Sequence, residues 1–458
     1  MERFDVIVIG TGQGGVPFAT RAAAAGRTTL VVERDQLGGT CVNRGCTPTK
    51  TMVASARAAH VARTAGRLGI GTGDVSVDLN AIVDRKESVV QQWREGVERQ
   101  LVDAGGLTLR RGTARFTSPG TIDIEGDTYN ADLIVVNTGA RPAIPPIRGL
   151  NDIPFLDSTS IMNVRQVPGH LVVIGGGYIG CEFGQMFRRF GAAVTIADRG
   201  DHLLSREDED VSEALEGVLR DEDIELALGA DIDNVEMKGD DVVVTLDDGS
   251  SITGSHLLVA TGRTPNTDDL GCDAAGIDTG SHGHIQVDDT YATTAAGVYA
   301  IGDVTGGPQF THTSWDDHRI LFDRLFNGRM DRNRSDRTIP YAVFTDPQVA
   351  RVGLSEREAK RGGIEYELGS MPFGHVARAI EVDERAGIIK VLVDPVTDRI
   401  LGAAIVGLEA GELIHIFAVM IEAGTMARAL VDVEVAHPAL AEGVQSALMR
   451  IERYALSG

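Results

Sequence analysis

Apolar runs that end in glycine organise the first half of this chain. A run at 6–9 leads into the glycine-rich stretch 10–15, an alanine-rich helical pattern follows over 18–25, and a second apolar run at 29–32 ends in Glu33. Short apolar runs separated by a tight turn and a helix predict a βαβ unit. The chain is therefore expected to begin with a dinucleotide-binding motif.

The same pattern returns later. A second copy occupies 171–198, with its glycine run at 175–180 and its second strand closing on Asp198. Each copy is followed by an apolar strand that ends in Thr-Gly, at Thr138-Gly139 and at Thr261-Gly262. This internal duplication predicts an α/β protein with two Rossmann-like, three-layer ββα domains.

Other patterns complete the outline. Between residues 73 and 104 an apolar stripe of Ile82, Val89, Val90 and Trp93 predicts a helix that packs within the first domain. After residue 340 the pattern changes to strands followed by two helices, which predicts a C-terminal α+β unit. The expected strands are 342–345, 387–393 and 400–406, and the expected helices are 411–423 and 438–455.

Composition narrows the class of protein. The chain has 458 residues with 43% apolar content, enough for about three or four domains. Its 66 acidic against 43 basic residues, a formal charge of −23, argue against nucleic acid or an anionic membrane as a partner. No apolar run approaches the ~20 residues that span a bilayer, and the N-terminus does not resemble a signal peptide. We expect a soluble, cytoplasmic protein.

The glycine runs carry a specific chemistry. In such a turn the first glycine makes the bend, the second lets a pyrophosphate approach and the third lets the helix pack on the strand. The acids that close the next strands, Glu33 and Asp198, are suited to accept hydrogen bonds from ribose hydroxyls. We expect FAD in the first copy and a nicotinamide nucleotide in the second. Asp198 favours NADH, whereas the adjacent Arg199 could bind the 2′-phosphate of NADPH, and we favour NADH.

Two cysteines suggest redox chemistry. Cys41 and Cys46 are separated by four residues, so one helical turn brings their sulfurs within bonding distance, as reversible electron storage requires. The alternative is a structural disulfide, which is rare in a cytosolic protein. Cys181 and Cys272 lie alone and are expected to pack in the core. The histidines lack partners at metal-ligand spacing, so no metal site is predicted.

These motifs, taken in order, resemble those of the class I pyridine nucleotide-disulfide oxidoreductases, which include glutathione reductase, dihydrolipoyl dehydrogenase and mercuric reductase. The resemblance covers the whole chain. Its markers are 10–15 with Glu33, Cys41 and Cys46 with Lys50, 175–180 with Glu182, Thr261-Gly262-Arg263, Gly302-Asp303, and His437-Pro438 with Glu442.

The resemblance implies a role for each marker. Cys46 lies nearer the flavin and receives electrons, and Cys41 attacks the substrate. His437 is the acid/base, oriented by Glu442, and reaches the disulfide of the other subunit, which makes a homodimer obligatory. Lys50 sits beside the flavin.

Three further roles also come from the resemblance. Glu182 pairs with Lys50, Asp303 holds a ribityl hydroxyl of FAD, and Tyr178 covers the nicotinamide pocket. The full set expected to bind the two cofactors is Gly10, Gly12, Gly15, Glu33, Thr40, Lys50, Thr138, Gly139, Gly302, Asp303, Gly175, Gly177, Tyr178, Gly180, Asp198, Arg199 and Gly262.

The resemblance also implies a division of the chain. Residues 1–148 form the FAD domain, 149–266 the NAD(P) domain, 267–337 a central segment that completes the FAD site, and 338–458 the dimerisation domain. The implied activity is NAD(P)H-driven reduction of a small disulfide or oxidised sulfur species.

Some stretches of the chain indicate which branch of this family it resembles. The stretches 308–320 and 204–208 resemble the mercuric-reductase-like branch that contains reactive-chlorine and hypothiocyanous acid reductases. The chain shows no C-terminal cysteine pair, which disfavours mercuric reductase itself. Dihydrolipoyl dehydrogenase and a non-catalytic flavin-binding protein remain alternatives. Arg44 either favours thiolate formation or lies at the surface, and the Thr47 hydroxyl could bond to the thiolate of Cys46.

Overall fold

The computed structural model of the chain describes residues 1–455. Leu456, Ser457 and Gly458, the end of the stretch in which a cysteine pair was sought, lie outside the described residues. The chain forms two compact units. The first comprises 1–51, 81–143 and 262–337, and the second comprises 52–80, 144–261 and the chain from Thr338 onward. The four-domain division stays a prediction.

The elements follow one another along the chain. The strands are β1 Glu2–Ile9, β2 Thr29–Glu33, β3 Leu107–Arg111, β4 Ala114–Ser118, β5 Thr121–Ile124, β6 Asp127–Val136, β7 Ala140–Pro142, β8 His170–Ile174, β9 Ala193–Asp198, β10 Ile224–Leu228, β11 Ile232–Lys238, β12 Asp241–Leu246, β13 Ser251–Gly254, β14 His256–Val259, β15 Arg263–Pro265, β16 Val298–Ala300, β17 Tyr341–Val343, β18 Gln348–Gly353, β19 Glu367–Pro372, β20 Ile388–Val393 and β21 Ile400–Gly407. The α-helices are α1 Gly15–Ala24, α2 Gly39–Arg44, α3 Cys46–Thr64, α4 Leu79–Val102, α5 Tyr178–Phe190, α6 Glu209–Asp221, α7 Cys272–Ala275, α8 Thr311–Asn327, α9 Glu356–Gly362, α10 Ala377–Glu381, α11 Ala410–Ala423, α12 Arg428–Asp432 and α13 Ala441–Leu448. Short 3₁₀ turns occupy Ala65–Leu68, Leu150–Asp152, Ser160–Asn163, Gly302–Thr305, Phe373–His375 and Glu452–Tyr454.

The first unit is built on a sheet in the order β3-β2-β1-β6-β5-β4, with β16 paired to β6. Strand β1 is parallel to both β2 and β6, with Val6 opposite Thr29. Alternate residues of β1 enter different cores, Ile7 and Ile9 on one face and Val6 and Val8 on the other. A strand buried on both faces is typical of a doubly wound sheet.

The second unit contains three sheets. A parallel sheet β10-β9-β8-β14 repeats the Rossmann pattern, and an antiparallel sheet β11-β12-β13 forms a three-stranded layer of its own. The antiparallel order β17-β18-β21-β20-β19 forms the C-terminal sheet, against which α11 and α13 pack. Two Rossmann-like sheets and a C-terminal α+β unit confirm the predicted fold class. None of the helices within residues 1–455 is both long and apolar enough to cross a membrane.

Two expected helices differ from prediction. Of the predicted stripe in α4, Trp93 is 59% exposed, whereas Val90 is buried and Ile82 and Val89 are partly buried. The buried face also carries Val83, Lys86 and Leu101, and polarity alone would place Lys86 in solvent. The final expected helix ends at Leu448 rather than 455, because the following turn directs Tyr454 into the C-terminal core.

Candidate active site

The predicted redox pair lies where the six-residue helix α2 is followed by the 19-residue helix α3, beside the first glycine turn. Cys41 is on α2, directly after Thr40, and Cys46 begins α3. Gly39, at the start of α2, has φ +63°, and a methyl group added there would lie 2.8 Å from the Cα of Gly12. Helix α2 therefore packs directly against the predicted flavin turn, and only glycine permits this approach.

The side chains of the two cysteines are in contact. Both are free thiols. The hydrogen bond to Cys46 is the largest cause that raises the pKa of Cys41, followed by burial. Both causes favour the thiol form of Cys41 over its thiolate. The structure thus brings together the two sulfurs that the sequence predicted would act jointly.

A threonine far away in the sequence completes the sulfur environment. The Oγ1 atom of Thr311, the first residue of α8, lies 3.1 Å from the Sγ atom of Cys46. Thr311 also lowers the pKa of Cys41, against the larger opposing causes. The sequence had proposed Thr47 for this contact. Thr311 was missed because 265 residues separate it from Cys46 and no local pattern links them.

The loop between the cysteines is fixed by its asparagine. The Nδ2 atom of Asn43 donates to the carbonyl oxygens of Leu37 and Gly39, each at 2.9 Å, and its Oδ1 accepts from two nitrogens of Arg94. These contacts restrain α2 and were not predicted. Arg44 pairs with the carboxylate of Asp35 and is exposed, as the surface alternative predicted.

The first glycine turn is closed by side-chain hydrogen bonds. The Oε2 atom of Glu33 accepts from the backbone N–H of Thr11 at 3.0 Å and from its hydroxyl at 2.5 Å. The Oε1 atom of Glu33 accepts from the N–H of Asp35 at 2.8 Å. Glu33 is only 9% exposed, so this predicted ribose-binding acid is held rigidly at the end of β2.

Several buried polar atoms of the first unit fit an oxygen-rich ligand. The hydroxyls of Thr138 and Thr313 and the Nε atom of Arg263 have no hydrogen-bond partner within the described chain. Burial raises the pKa of Asp303, and the Nε atom of Arg263 lies 3.9 Å from its carboxylate. Buried polar atoms are normally paired, so these groups fit a bound dinucleotide such as FAD.

Gly139 and Gly262 directly precede two paired strands of the first unit. Strands β7 and β15 pair antiparallel, the N–H of Asn266 donates to Gly139 O, and the N–H of Ala143 donates to Gly262 O, both at 3.0 Å. Gly302 begins the turn that carries Asp303 and donates its N–H to Asp317 Oδ2 at 2.7 Å. The predicted residues Gly139, Gly262, Gly302 and Asp303 therefore lie in backbone turns that hydrogen bonds hold in place.

The second glycine turn has a similar acid but fewer side chains. The Oδ2 atom of Asp198 accepts from Gly176 N–H at 2.5 Å, and Oδ1 accepts from Gly200 N–H at 2.7 Å. Tyr178, at the start of α5, is 38% exposed, and Arg199 is exposed. A methyl group added at Gly177 would meet nothing within 4 Å. The space beside Gly177 is therefore open, whereas methyl groups added at Gly175, Gly176 and Gly180 would lie within 2.6 Å of another atom.

One face of α5 binds the strand-to-turn segment after β17. The Oε1 atom of Glu182 accepts from Phe344 N–H at 2.8 Å, and the Oε1 atom of Gln185 accepts from Asp346 N–H at 2.8 Å. One turn further, Arg189 donates to the Asp346 carboxylate at 2.7 Å. Glu182 is 4% exposed, so its carboxylate has a fixed position within the second unit. The predicted Lys50 lies on α3, one turn after Cys46.

The predicted acid/base pair is formed as expected. The Nδ1 atom of His437 lies 2.8 Å from Glu442 Oε1, and the N–H of Ala439 donates to Glu442 Oε2 at 2.8 Å. The hydrogen bond to Glu442 is the largest cause that raises the pKa of His437. The imidazole is 69% exposed, so it is accessible to another molecule.

Metal ligation finds no support in the part of the chain that the structure describes. Among residues 1–455, no three His, Cys, Asp or Glu side chains come together in a group that could hold a metal ion.

Comparisons with known proteins match nearly the whole chain to a single family. Residues 4–317 match the model of a pyridine nucleotide-disulphide oxidoreductase, and residues 339–448 match the dimerisation domain of the same proteins. A mercuric reductase of Lysinibacillus sphaericus is 33% identical over 99% of this chain and 83% of its own length. A dihydrolipoyl dehydrogenase of Thermus scotoductus is 35% identical over 100% and 99%. The solved structure of the HOCl-induced flavoprotein disulfide reductase RclA from Escherichia coli superimposes with a TM-score of 0.89, at 33% identity over 99% of this chain and 100% of that one.

Proposed function

The chain belongs to the pyridine nucleotide-disulphide oxidoreductase family, and from that membership we propose that Cys41 and Cys46 are its redox centre. The family depends on FAD and a pyridine nucleotide, and its reaction reduces a disulfide or oxidised sulfur species. The observation that carries the assignment is the contact between the two thiols, since the hydrogen bond to Cys46 is the largest cause that raises the pKa of Cys41.

The proposed reaction is a thiol–disulfide exchange in which the cysteine pair is oxidised and the substrate disulfide is reduced. His437 takes the proton of the Cys41 thiol, the resulting thiolate attacks one sulfur of a substrate disulfide, and a mixed disulfide forms while the first substrate thiol leaves with that proton. The Cys46 thiol then gives up its proton and attacks the Cys41 sulfur, the second substrate thiol leaves with one proton, and a Cys41–Cys46 disulfide remains. FAD held in the first unit would supply the two electrons from NAD(P)H that, together with two protons, return this disulfide to two thiols.

The residues around the pair have defined tasks. Glu442 raises the pKa of His437, which keeps the imidazole protonated to higher pH and able to donate to the leaving thiol. The hydroxyl of Thr311 contacts Cys46 and stabilises charge on that sulfur. The dimerisation domain supports a homodimer, and we propose that His437 serves the thiol pair of the partner subunit.

The arrangement of polar groups in the first unit supports the binding of FAD there. The predicted holding residues are the turn Gly10, Gly12 and Gly15 with Glu33, and the strand ends with Thr138 and Asp303. The unpaired hydroxyl of Thr138 can donate to a phosphate of a dinucleotide, and the partly buried carboxylate of Asp303 can accept from one of its hydroxyls.

For the second nucleotide we propose NADH. Both carboxylate oxygens of Asp198 accept backbone N–H groups, so the negative charge stays at the end of β9, where a 2′-phosphate would be repelled. Steady-state kcat/KM for the two donors tests this proposal. A higher value with NADPH would contradict it, and Asp198→Ser should shift the ratio towards NADPH.

The test of the redox centre is anaerobic titration with NADH. A long-wavelength charge-transfer band between the Cys46 thiolate and oxidised flavin is expected in the wild type and absent in Cys46→Ser. Cys272→Ser, which changes a cysteine of the core, is the control and should keep the band. A band that persists in Cys46→Ser would refute the assignment.

The substrate is tested by a panel of oxidised sulfur compounds. We expect turnover with small disulfides or hypothiocyanite, and little with Hg(II). Reduced lipoamide with NAD⁺ serves as the test for dihydrolipoyl dehydrogenase activity. Fast turnover in that direction alone would favour that relative's reaction.

A further inference from the structure

A buried asparagine joins three segments around the first glycine turn. Asn137 follows β6 and is 6% exposed. Its Oδ1 atom accepts from Gly15 N–H at 2.9 Å, at the start of α1. Its Nδ2 atom donates to the carbonyl oxygen of Ile301 at 2.9 Å and approaches Ser314 Oγ at 3.3 Å. One amide thus links α1, the residue before the Gly302 turn, and α8.

The partners fix the orientation of this amide. A backbone N–H can only donate and a carbonyl oxygen can only accept, so the oxygen must face Gly15 and the nitrogen must face Ile301. The same side chain limits the turn itself, because a methyl group at Gly12 would lie 2.7 Å from Asn137 Oδ1. At Gly302 a methyl group would lie 2.8 Å from Nδ2. Asn137 therefore contacts both glycine turns that are predicted to hold FAD.

The second copy of the duplication lacks this amide. Ala260 precedes Thr261-Gly262 as Asn137 precedes Thr138-Gly139. The backbone arrangement is the same, since Asn137 N–H donates to Ile9 O and Ala260 N–H donates to Ile174 O, both at 2.8 Å. The side chain at this position differs, and around Gly177 the space that corresponds to the contact between Gly12 and Asn137 is open.

We propose that Asn137 is a positioning residue that retains FAD as a resident cofactor. It holds the glycine turn and the Asp303 turn in one arrangement, whereas Ala260 leaves the second turn free for a nucleotide that must enter and leave. Removal of the amide leaves Gly15 N–H and Ile301 O unpaired in a buried site, so the turn loses its fixed geometry. This inference rests on the proposed binding of FAD in the first unit.

The test measures flavin release from the purified holoprotein. Asn137→Ala should release FAD at least tenfold faster than the wild type, followed by flavin fluorescence after dilution, with KM for NADH unchanged. Added FAD should restore most of the activity. Ser314→Ala removes only the 3.3 Å contact and should accelerate release two- to fivefold.

The matched control is Thr267→Val, also in the first unit and 8% exposed. It removes a hydroxyl that donates to Gly283 O at 2.8 Å, and it should leave FAD release within twofold of the wild type. Equal release from Asn137→Ala and Thr267→Val, or wild-type release from Asn137→Ala, would overturn the inference. If Asn137→Ala does not fold, wild-type release from Ser314→Ala overturns it.

Failure of the proposed function would look different. A wild-type protein that binds no FAD would overturn both the proposed function and this inference. A wild-type protein with the charge-transfer band, together with an Asn137→Ala variant that keeps its flavin, would overturn the inference alone.

Discussion

The two glycine turns share a sequence pattern but differ in what surrounds them. In the first, Thr11 bonds to Glu33 through its hydroxyl, and Asn137 bonds to Gly15. At the same places the second turn has Gly176 and Ala260, which carry no polar side chain. The acids are held alike, since Glu33 and Asp198 both accept backbone N–H groups from the turn. The glycine-rich pattern therefore predicts the class of ligand, while residues outside that pattern decide how firmly the turn is held.

The largest expected effect comes from adding a methyl group to each turn. Gly12→Ala forces the new carbon to within 2.7 Å of Asn137 Oδ1, and we expect a loss of about 1–3 kcal/mol of stability together with loss of bound flavin. Gly177→Ala meets no atom within 4 Å and should keep the wild-type melting temperature, although KM for NADH should rise. Thermal unfolding and flavin content of the two variants measure the difference. Equal losses in both would remove the contrast between the turns.

A smaller difference is expected at the two acids. Glu33→Gln replaces one oxygen of a buried carboxylate that accepts three hydrogen bonds, so we expect about 2 kcal/mol of destabilisation. Asp198→Asn affects two bonds at a less buried site and should cost about 1 kcal/mol. Chemical denaturation of both variants, compared at equal ionic strength, gives the two values. A larger cost at Asp198 would show that the second turn is the more tightly held.

The smallest effect is expected at the Thr11 hydroxyl. Thr11→Val removes one bond to Glu33 and the acceptor of Gly38 N–H, which should cost about 1 kcal/mol. Thr20→Val is the control, because its hydroxyl bonds only to carbonyls one turn back in α1. We expect no measurable loss from Thr20→Val by the same unfolding assay. If both threonines behave alike, the first turn is not stabilised by this side chain.

The duplicated units, their acids Glu33 and Asp198, and the thiol pair could be predicted from the sequence. Each of these features is encoded within about 30 consecutive residues. Sequence reasoning also placed His437 and Glu442, which are five residues apart and form the expected contact. It missed the partners that meet only in the folded chain. Asn137 stands 122 residues from Gly15, and Thr311 stands 265 from Cys46. Polarity also misled the reading of α4, where the buried Lys86 interrupts the apolar face.

The free space around Gly177 has a practical meaning for redesign. A pocket wall that is not braced by neighbouring side chains can be reshaped without disturbing the scaffold behind it. We therefore expect that substitutions at Gly177 can adapt this turn to synthetic hydride donors with larger or smaller phosphate groups. The first glycine turn, residues 10–15, would stay unchanged. Of the two glycine turns, the one at Gly177 is therefore the one to change in redesign, and the one at Gly12 is the one to keep.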